Sequence, residues 1–267
     1  MKQTPIDVVM ITQVASLFFW ILVVVGILVA GQWKQGARDF RDRMVVQWKP
    51  ALTLAVLFLV GMAASGTSIL NFHAITVFCQ SLVGFAITKS IGGFEPLPVT
   101  NAILQRERAW RKIGSLVIVS LVTVLPILLA GSAGMYLGQH LFGETSRTAE
   151  IASAFPANKW LAFFVFLSGG GIAEESPYRL VVLSLIWRLT HRKWLAILLS
   201  AVLFGAYHLT PLNGMYPGFL QFPISQFLAS TFIGIVLGTV FVKYGYETTV
   251  LSHTLSDWIP YSLFSIN

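Results

Sequence analysis

Charge is what this chain has least of. Of its 267 residues, 11% are Asp, Glu, Lys or Arg, where soluble domains carry about 25%. That supply cannot cover a globular surface in water, so an ordinary soluble domain is excluded. Cysteine is almost absent as well. The lone Cys79 permits no intrachain disulfide and no cysteine cluster, and we assign it no chemistry. The chain also lacks internal repeats, low-complexity tracts and linkers long enough to separate domains. Residues 1–267 therefore read as a single integral membrane domain.

Apolar runs fill the space that charge leaves. Stretches such as "SLFFWILVVVGILVAG" and "GSLVIVSLVTVLPILLAG" have the length and polarity of bilayer-spanning helices. Eight such segments stand out, at 8–30, 51–66, 70–88, 113–138, 159–188, 194–211, 224–243 and 247–265. The fold class expected is all-α: a polytopic membrane protein of about eight transmembrane helices. The second and third segments form a hairpin around "ASGTS". The first is too long for a signal-peptide core and follows "MKQTPID", which is not a basic leader, so it reads as a retained helix.

The few cations are unevenly placed. Fourteen of the eighteen Lys and Arg residues fall in the loops 31–50, 89–112, the turn around Arg188–Lys193, and Lys243. With a hairpin at 51–88, all of these lie on one side. The positive-inside rule makes that side cytoplasmic and puts both termini outside. The net charge of +7 then reflects topology and anionic lipid headgroups, and no nucleic-acid partner is expected. Trp48, Trp110, Trp160 and Trp194 read as an interfacial belt, and "FEPLPVTN" (94–101) as a rigid cytoplasmic loop within reach of the lipid surface.

Against this background a handful of ionisable residues sits inside apolar segments: Glu174, Glu175 and Arg179 in "SGGGIAEESPYRLVV", His208 in "LFGAYHLT", and His253 with Asp257 in "LSHTLSDW". Each charge near a bilayer centre costs at least about 2.5–3.5 kcal/mol on insertion scales, so their default reading is a functional polar site. Depth supports convergence. Glu174, His208 and Asp257 each lie fourteen or fifteen residues from a basic loop, roughly 21–22 Å along a helix. Glu175 and Arg179 are spaced i,i+4 and pair on one face, while Glu174 turns toward a different cavity. His253 and Asp257 share the same spacing, so the carboxylate is expected to accept from the imidazole and fix its tautomer. Gly169–Gly171 are expected to interrupt the fifth segment, with Pro177 in the first turn of the helix that follows. That places the two glutamates at a helix N-terminus. His73 reads as a lone polar residue near a helix end, and His140 and His191 as loop residues.

"EESPYR", "FGAYH" (Phe204 to His208) and "HTLSD" fit E-E-x-x-x-R, F-x-x-x-H and H-x-x-x-N/D. In this order they resemble the type II CAAX prenyl endopeptidases and the wider group of CAAX proteases and bacteriocin-processing enzymes, also called the Abi family. The resemblance covers about 158–265. It implies an eight-helix, metal-independent glutamate intramembrane endopeptidase acting on a membrane-associated or lipid-modified polypeptide. Carried over, Glu174 and His208 activate the water and His253 with Asp257 stabilises the oxyanion. Glu175, Arg179 and Phe204 support the site. Two departures stand out: Asp257 where many members have Asn, and Leu180 where Gly is common.

The residues also admit other readings. Zinc held by Glu174, His208 and His253 is the mechanistic rival, though no H-E-x-x-H is present. A catalytically silent bacteriocin-immunity or membrane-binding protein keeps the fold without the chemistry. A proton-coupled transporter predicts inverted repeats, which are not seen. The expected partners are membrane lipids and a polypeptide at or in the membrane. No cofactor is expected, and the expected location is a prokaryotic plasma membrane.

Overall fold

The computed structural model describes residues 8–64, 72–144, 155–210 and 224–264. Every regular element among them is helical. In chain order these are α1 (Val8–Trp33), α2 (Gln35–Val46), α3 (Trp48–Ala64), α4 (His73–Thr88), α5 (Pro98–Leu104) and α6 (Ala109–Phe142). A composite rod follows: α7 (Lys159–Phe166), the π segments Leu167–Glu174 and Ser176–Leu183, and α8 (Ser184–Thr190). Then come α9 (Lys193–Tyr207), α10 (Ile224–Tyr244) and α11 (Tyr246–Phe264).

Each of the eight apolar segments coincides with one of these helices. Three are individually long and apolar enough to cross a membrane: Met10–Trp33, Ala109–Phe142 and Ile224–Tyr244. The pair Gln35–Val46 and Trp48–Ala64, bent by 51°, makes a fourth candidate. Their outer faces are apolar and uncovered, as at Phe18, Leu22, Ile118, Val122 and Leu125. That is the surface hydrocarbon requires. The four sequence-assigned belt tryptophans are all exposed. The "ASGTS" turn lies almost wholly outside the described residues.

Two stretches read as loops contain helices. In 31–50 the segment "GARDFRDRM" forms α2, which buries Met44 beneath a charged outer face. In 89–112, Pro98 starts α5, and the Glu247 carboxylate caps it by accepting from Val99 N at 2.7 Å and Thr100 N at 2.8 Å. "FEPLPVTN" is thereby docked on protein. Phe94 packs on Trp187 and Phe241, and Tyr246 N donates to Pro96 O at 2.7 Å. Gly245, at φ +87°, makes the sharp turn between α10 and α11 directly beneath Pro96 and Pro98. His140, expected in a loop, is in the last turn of α6.

Small residues set the helix spacing. α6 and α10 meet at Gly134 and Gly138, where an added Cβ would fall 2.3 Å from Ala229 N and 2.2 Å from Ser225 Cα. Backbones in membranes approach this closely only where a side chain is missing. Leu180 is fully buried against α4, its Cβ filling the space above Gly84. The bulk at position 180 is thus matched by a glycine on the facing helix.

Candidate active site

The rod does not break at its glycines. Residues 167–183 stay helical but widen into π turns, so Glu174 and Glu175 lie mid-rod rather than at a helix N-terminus. Pro177 explains part of this. A proline removes one backbone donor and crowds the carbonyl four residues earlier, and a wider i→i+5 turn relieves both. The glycines serve close approach instead. A Cβ on Gly171 would stand 2.5 Å from Thr254 Oγ1, and one on Gly170 would stand 2.9 Å from Asp257 Oδ2 and 3.2 Å from His253 Nε2. Without side chains at these two positions, the rod lies directly against α11 at the level of its histidine.

That contact brings the sequence-predicted residues together. Glu174 Oε2 lies 3.8 Å from His208 Nε2, with both side chains nearly buried. Glu175 and Arg179 pair as the i,i+4 spacing requires, Oε2 to Nε at 2.9 Å, and neither side chain has any exposure. The guanidinium nitrogens are not aligned for hydrogen bonds among the described residues. The cation is held by the Glu175 charge and by the face of Phe204, 5.0 Å away.

Glu175 has a second role that its spacing did not reveal. Its Oε1 is 2.8 Å from His253 Nδ1, a full hydrogen bond across two helices. Asp257, assigned that task from its i,i+4 position, is 3.7 Å from His253 Nε2, beyond hydrogen-bond reach. It is Glu175, therefore, that fixes the His253 tautomer with hydrogen on Nδ1 and Nε2 facing Asp257 and Gly170. Local periodicity could not have shown this, because the partner lies 78 residues away.

His208 is oriented in the same manner by a backbone carbonyl. Its Nδ1 is 2.9 Å from Phe204 O, which only accepts, so Nδ1 carries hydrogen and Nε2 faces Glu174. Phe204 is the hub of the site. Beyond that carbonyl, its buried ring meets His208 edge-on at 4.7 Å, His253 at 5.9 Å and Tyr178 at 5.3 Å. Tyr178 also packs on Tyr207, which in turn meets His208. Behind Glu175, Ser176 Oγ bonds Tyr246 OH at 2.8 Å and lies 3.4 Å from Ser81 Oγ, tying the rod to α11 and α4. The supporting residues Tyr178, Ser176 and Tyr246 were not singled out in the sequence, although "SPY" directly follows the glutamates.

Six ionisable groups from three helices thus converge, and Asp257, its side chain 38% exposed, is the most open. His73 begins α4, stacked on Phe58 and apart from this cluster. Among the described residues no group of three or more His, Cys, Asp or Glu side chains is arranged to hold a metal ion. Glu174–His208 and Glu175–His253 form two adjoining pairs rather than a shell around one point.

Residues 156–259 match the family model described as Rce1-like, type II CAAX prenyl endopeptidase Rce1-like. The match contains all three motifs. No curated protein and no solved structure matches the chain.

Proposed function

We propose that this chain, which carries an Rce1-like domain of the type II CAAX prenyl endopeptidases, hydrolyses a peptide bond of a membrane-associated or lipid-modified polypeptide using a water activated by Glu174 and His208. The observation that carries the reading is the 3.8 Å approach of Glu174 Oε2 to His208 Nε2. A water at ordinary hydrogen-bond lengths of about 2.8 Å from both atoms would sit about 2 Å to one side of the line between them. With hydrogen on Nδ1, the Nε2 lone pair of His208 accepts a proton from that water as Glu174 shares the load. The imidazolium so formed then protonates the leaving amine. On the far side, His253 presents Nε2 beside Gly170 and Asp257. As an imidazolium, with Nδ1–H on Glu175, His253 donates Nε2–H to the developing oxyanion.

Glu175 and Arg179 act through His253, as positioning residues. Glu175 holds the ring by Nδ1, and Arg179 balances the Glu175 charge so that a carboxylate persists without exposure. Asp257, 3.7 Å from Nε2, also acts on His253 rather than on the scissile bond.

The reading extends to the whole chain. Eight crossings, formed by α1, α3, α4, α6, the rod, α9, α10 and α11, make a single membrane domain. Its basic loops are cytoplasmic and both termini outside, in a prokaryotic plasma membrane.

The test is cleavage of fluorogenic peptides, prenylated and unmodified, by purified protein in liposomes. Wild type is compared with Glu174→Ala and His208→Ala, each with and without a zinc chelator. Activity lost in both variants and indifferent to chelator is the expected result. Loss on chelation would replace the mechanism with a metal-dependent one. No cleavage by folded wild type would assign the chain to a binding or immunity role.

A further inference from the structure

One cavity lies away from the catalytic pairs. About 310 Å³ in volume, it opens where the ends of α4, α8 and α9 meet, at the lower end of the size that holds a small ligand or headgroup. Its polar lining is basic. Arg188 comes from the last turn of α8, His191 from the turn after it, and Lys193 from the start of α9. No carboxylate lines it among the described residues. The nearest acid in sequence, Glu95, is turned away to Lys89 Nζ at 3.2 Å and Leu97 N at 3.2 Å. The fourth side is the Ser90–Gly93 turn, where Gly92 and Gly93 leave the backbone uncovered by any Cβ.

The floor and flanks are apolar. Trp187 and Phe94 close the bottom, and Lys193 Nζ stands 5.0 Å over the Trp187 ring. Leu185, Leu189, Trp194 and Leu198 are exposed on α8 and α9, the helices that supply Arg188 and Lys193. Cationic groups with an uncovered backbone turn form a phosphate-binding arrangement. An apolar surface running from its rim is what an acyl chain would cover.

We propose that this cavity binds the phosphate of an anionic membrane phospholipid, with Arg188 and Lys193 on the phosphate, the Ser90–Gly93 turn on its far side, and the acyl chains along Leu185 and Leu189. Because α8 continues the rod that carries Glu174 and Glu175, an occupied cavity tethers that rod to the end of α4.

The test uses the full chain purified in a zwitterionic detergent. Its thermal unfolding is followed while short-chain phosphatidylglycerol, short-chain phosphatidylcholine or inorganic phosphate is titrated in. Phosphatidylglycerol should stabilise saturably, more than phosphatidylcholine, and less at high salt. The double variant R188Q/K193Q should need at least about tenfold more phosphatidylglycerol for half-saturation, since two charge-assisted contacts are lost. Gly92→Leu keeps every charge but fills the opening, and its Cβ meets nothing within 4 Å. It should show the same loss, and it decides the matter if the double variant does not fold. Equal stabilisation by both lipids, or unchanged half-saturation in Gly92→Leu, would overturn the proposal. Inorganic phosphate matching phosphatidylglycerol would overturn the lipid assignment.

Discussion

Replacing Glu175 by Gln should separate stability from activity. Glu175 is fully buried, 2.9 Å from Arg179 Nε and 2.8 Å from His253 Nδ1. The amide oxygen can still accept from His253, so that bond survives in weakened form. The amide NH2, however, faces a guanidinium that has no other carboxylate and no aligned hydrogen bond. Removing one partner of a buried ion pair costs about 3–5 kcal/mol, because the remaining charge stays buried and uncompensated. Adding Arg179→Met removes that charge while keeping apolar bulk against Phe204. The double variant E175Q/R179M should therefore recover at least half of the loss. Peptidase activity should not recover with it, since His253 still lacks its anionic partner. Unfolding free energies in mixed micelles, for both single variants and the double, supply the cycle. A cost below about 1 kcal/mol for E175Q, or a double variant no more stable than E175Q alone, would refute the reasoning. So would a double variant with full activity.

Other perturbations give equally definite outcomes. Gly171→Val drives a side chain into Thr254 and should cost about 1–3 kcal/mol with loss of cleavage as the rod and α11 part. Gly169→Ala, whose Cβ meets nothing within 4 Å, should stay within about 0.5 kcal/mol of wild type and remain active. Glu247→Ala removes the cap of α5 and should cost about 0.5–2 kcal/mol. Hydrogen exchange should quicken at Val99 and Thr100, whose amides now bond that carboxylate. Glu144 links stability to acid at the other end of the molecule. Partial burial pushes its carboxyl up, but bonds from the Ser225 side chain and from the Ser225 and Ile224 amides outweigh this and lower it below 4.5. Its contribution is complete above that value and disappears as pH falls through the lower folded-state value. Acid titration of unfolding should show this decline in wild type and not in Glu144→Gln.

Much of the fold was legible because a bilayer leaves a chain few choices. A segment with no charge and no water must satisfy its backbone internally, so apolar runs predicted helices, and each run is helical in its described residues. Helices α2 and α5 escaped notice. Their signal is a buried Met44 or a remote Glu247 cap, and neither lengthens an apolar run. The glycine triplet was misread for a related reason. Glycine both breaks helices and permits close contact, and only the presence of Thr254 and His253 opposite it decides which applies.

The same division runs through the site. Buried charge is costly wherever it sits, so the sequence by itself singled out Glu174, Glu175, Arg179, His208, His253 and Asp257 and read Glu174, His208 and Asp257 at similar depth. The i,i+4 rule paired Glu175 with Arg179 correctly because both lie on one rod. Pairing between helices follows no local rule. That His253 belongs to Glu175 and not to Asp257, and that Leu180 fits over Gly84, were decided by tertiary structure. Each depends on how closely two backbones approach, and that distance is set by the small residues at the contact on both chains of the helix pair.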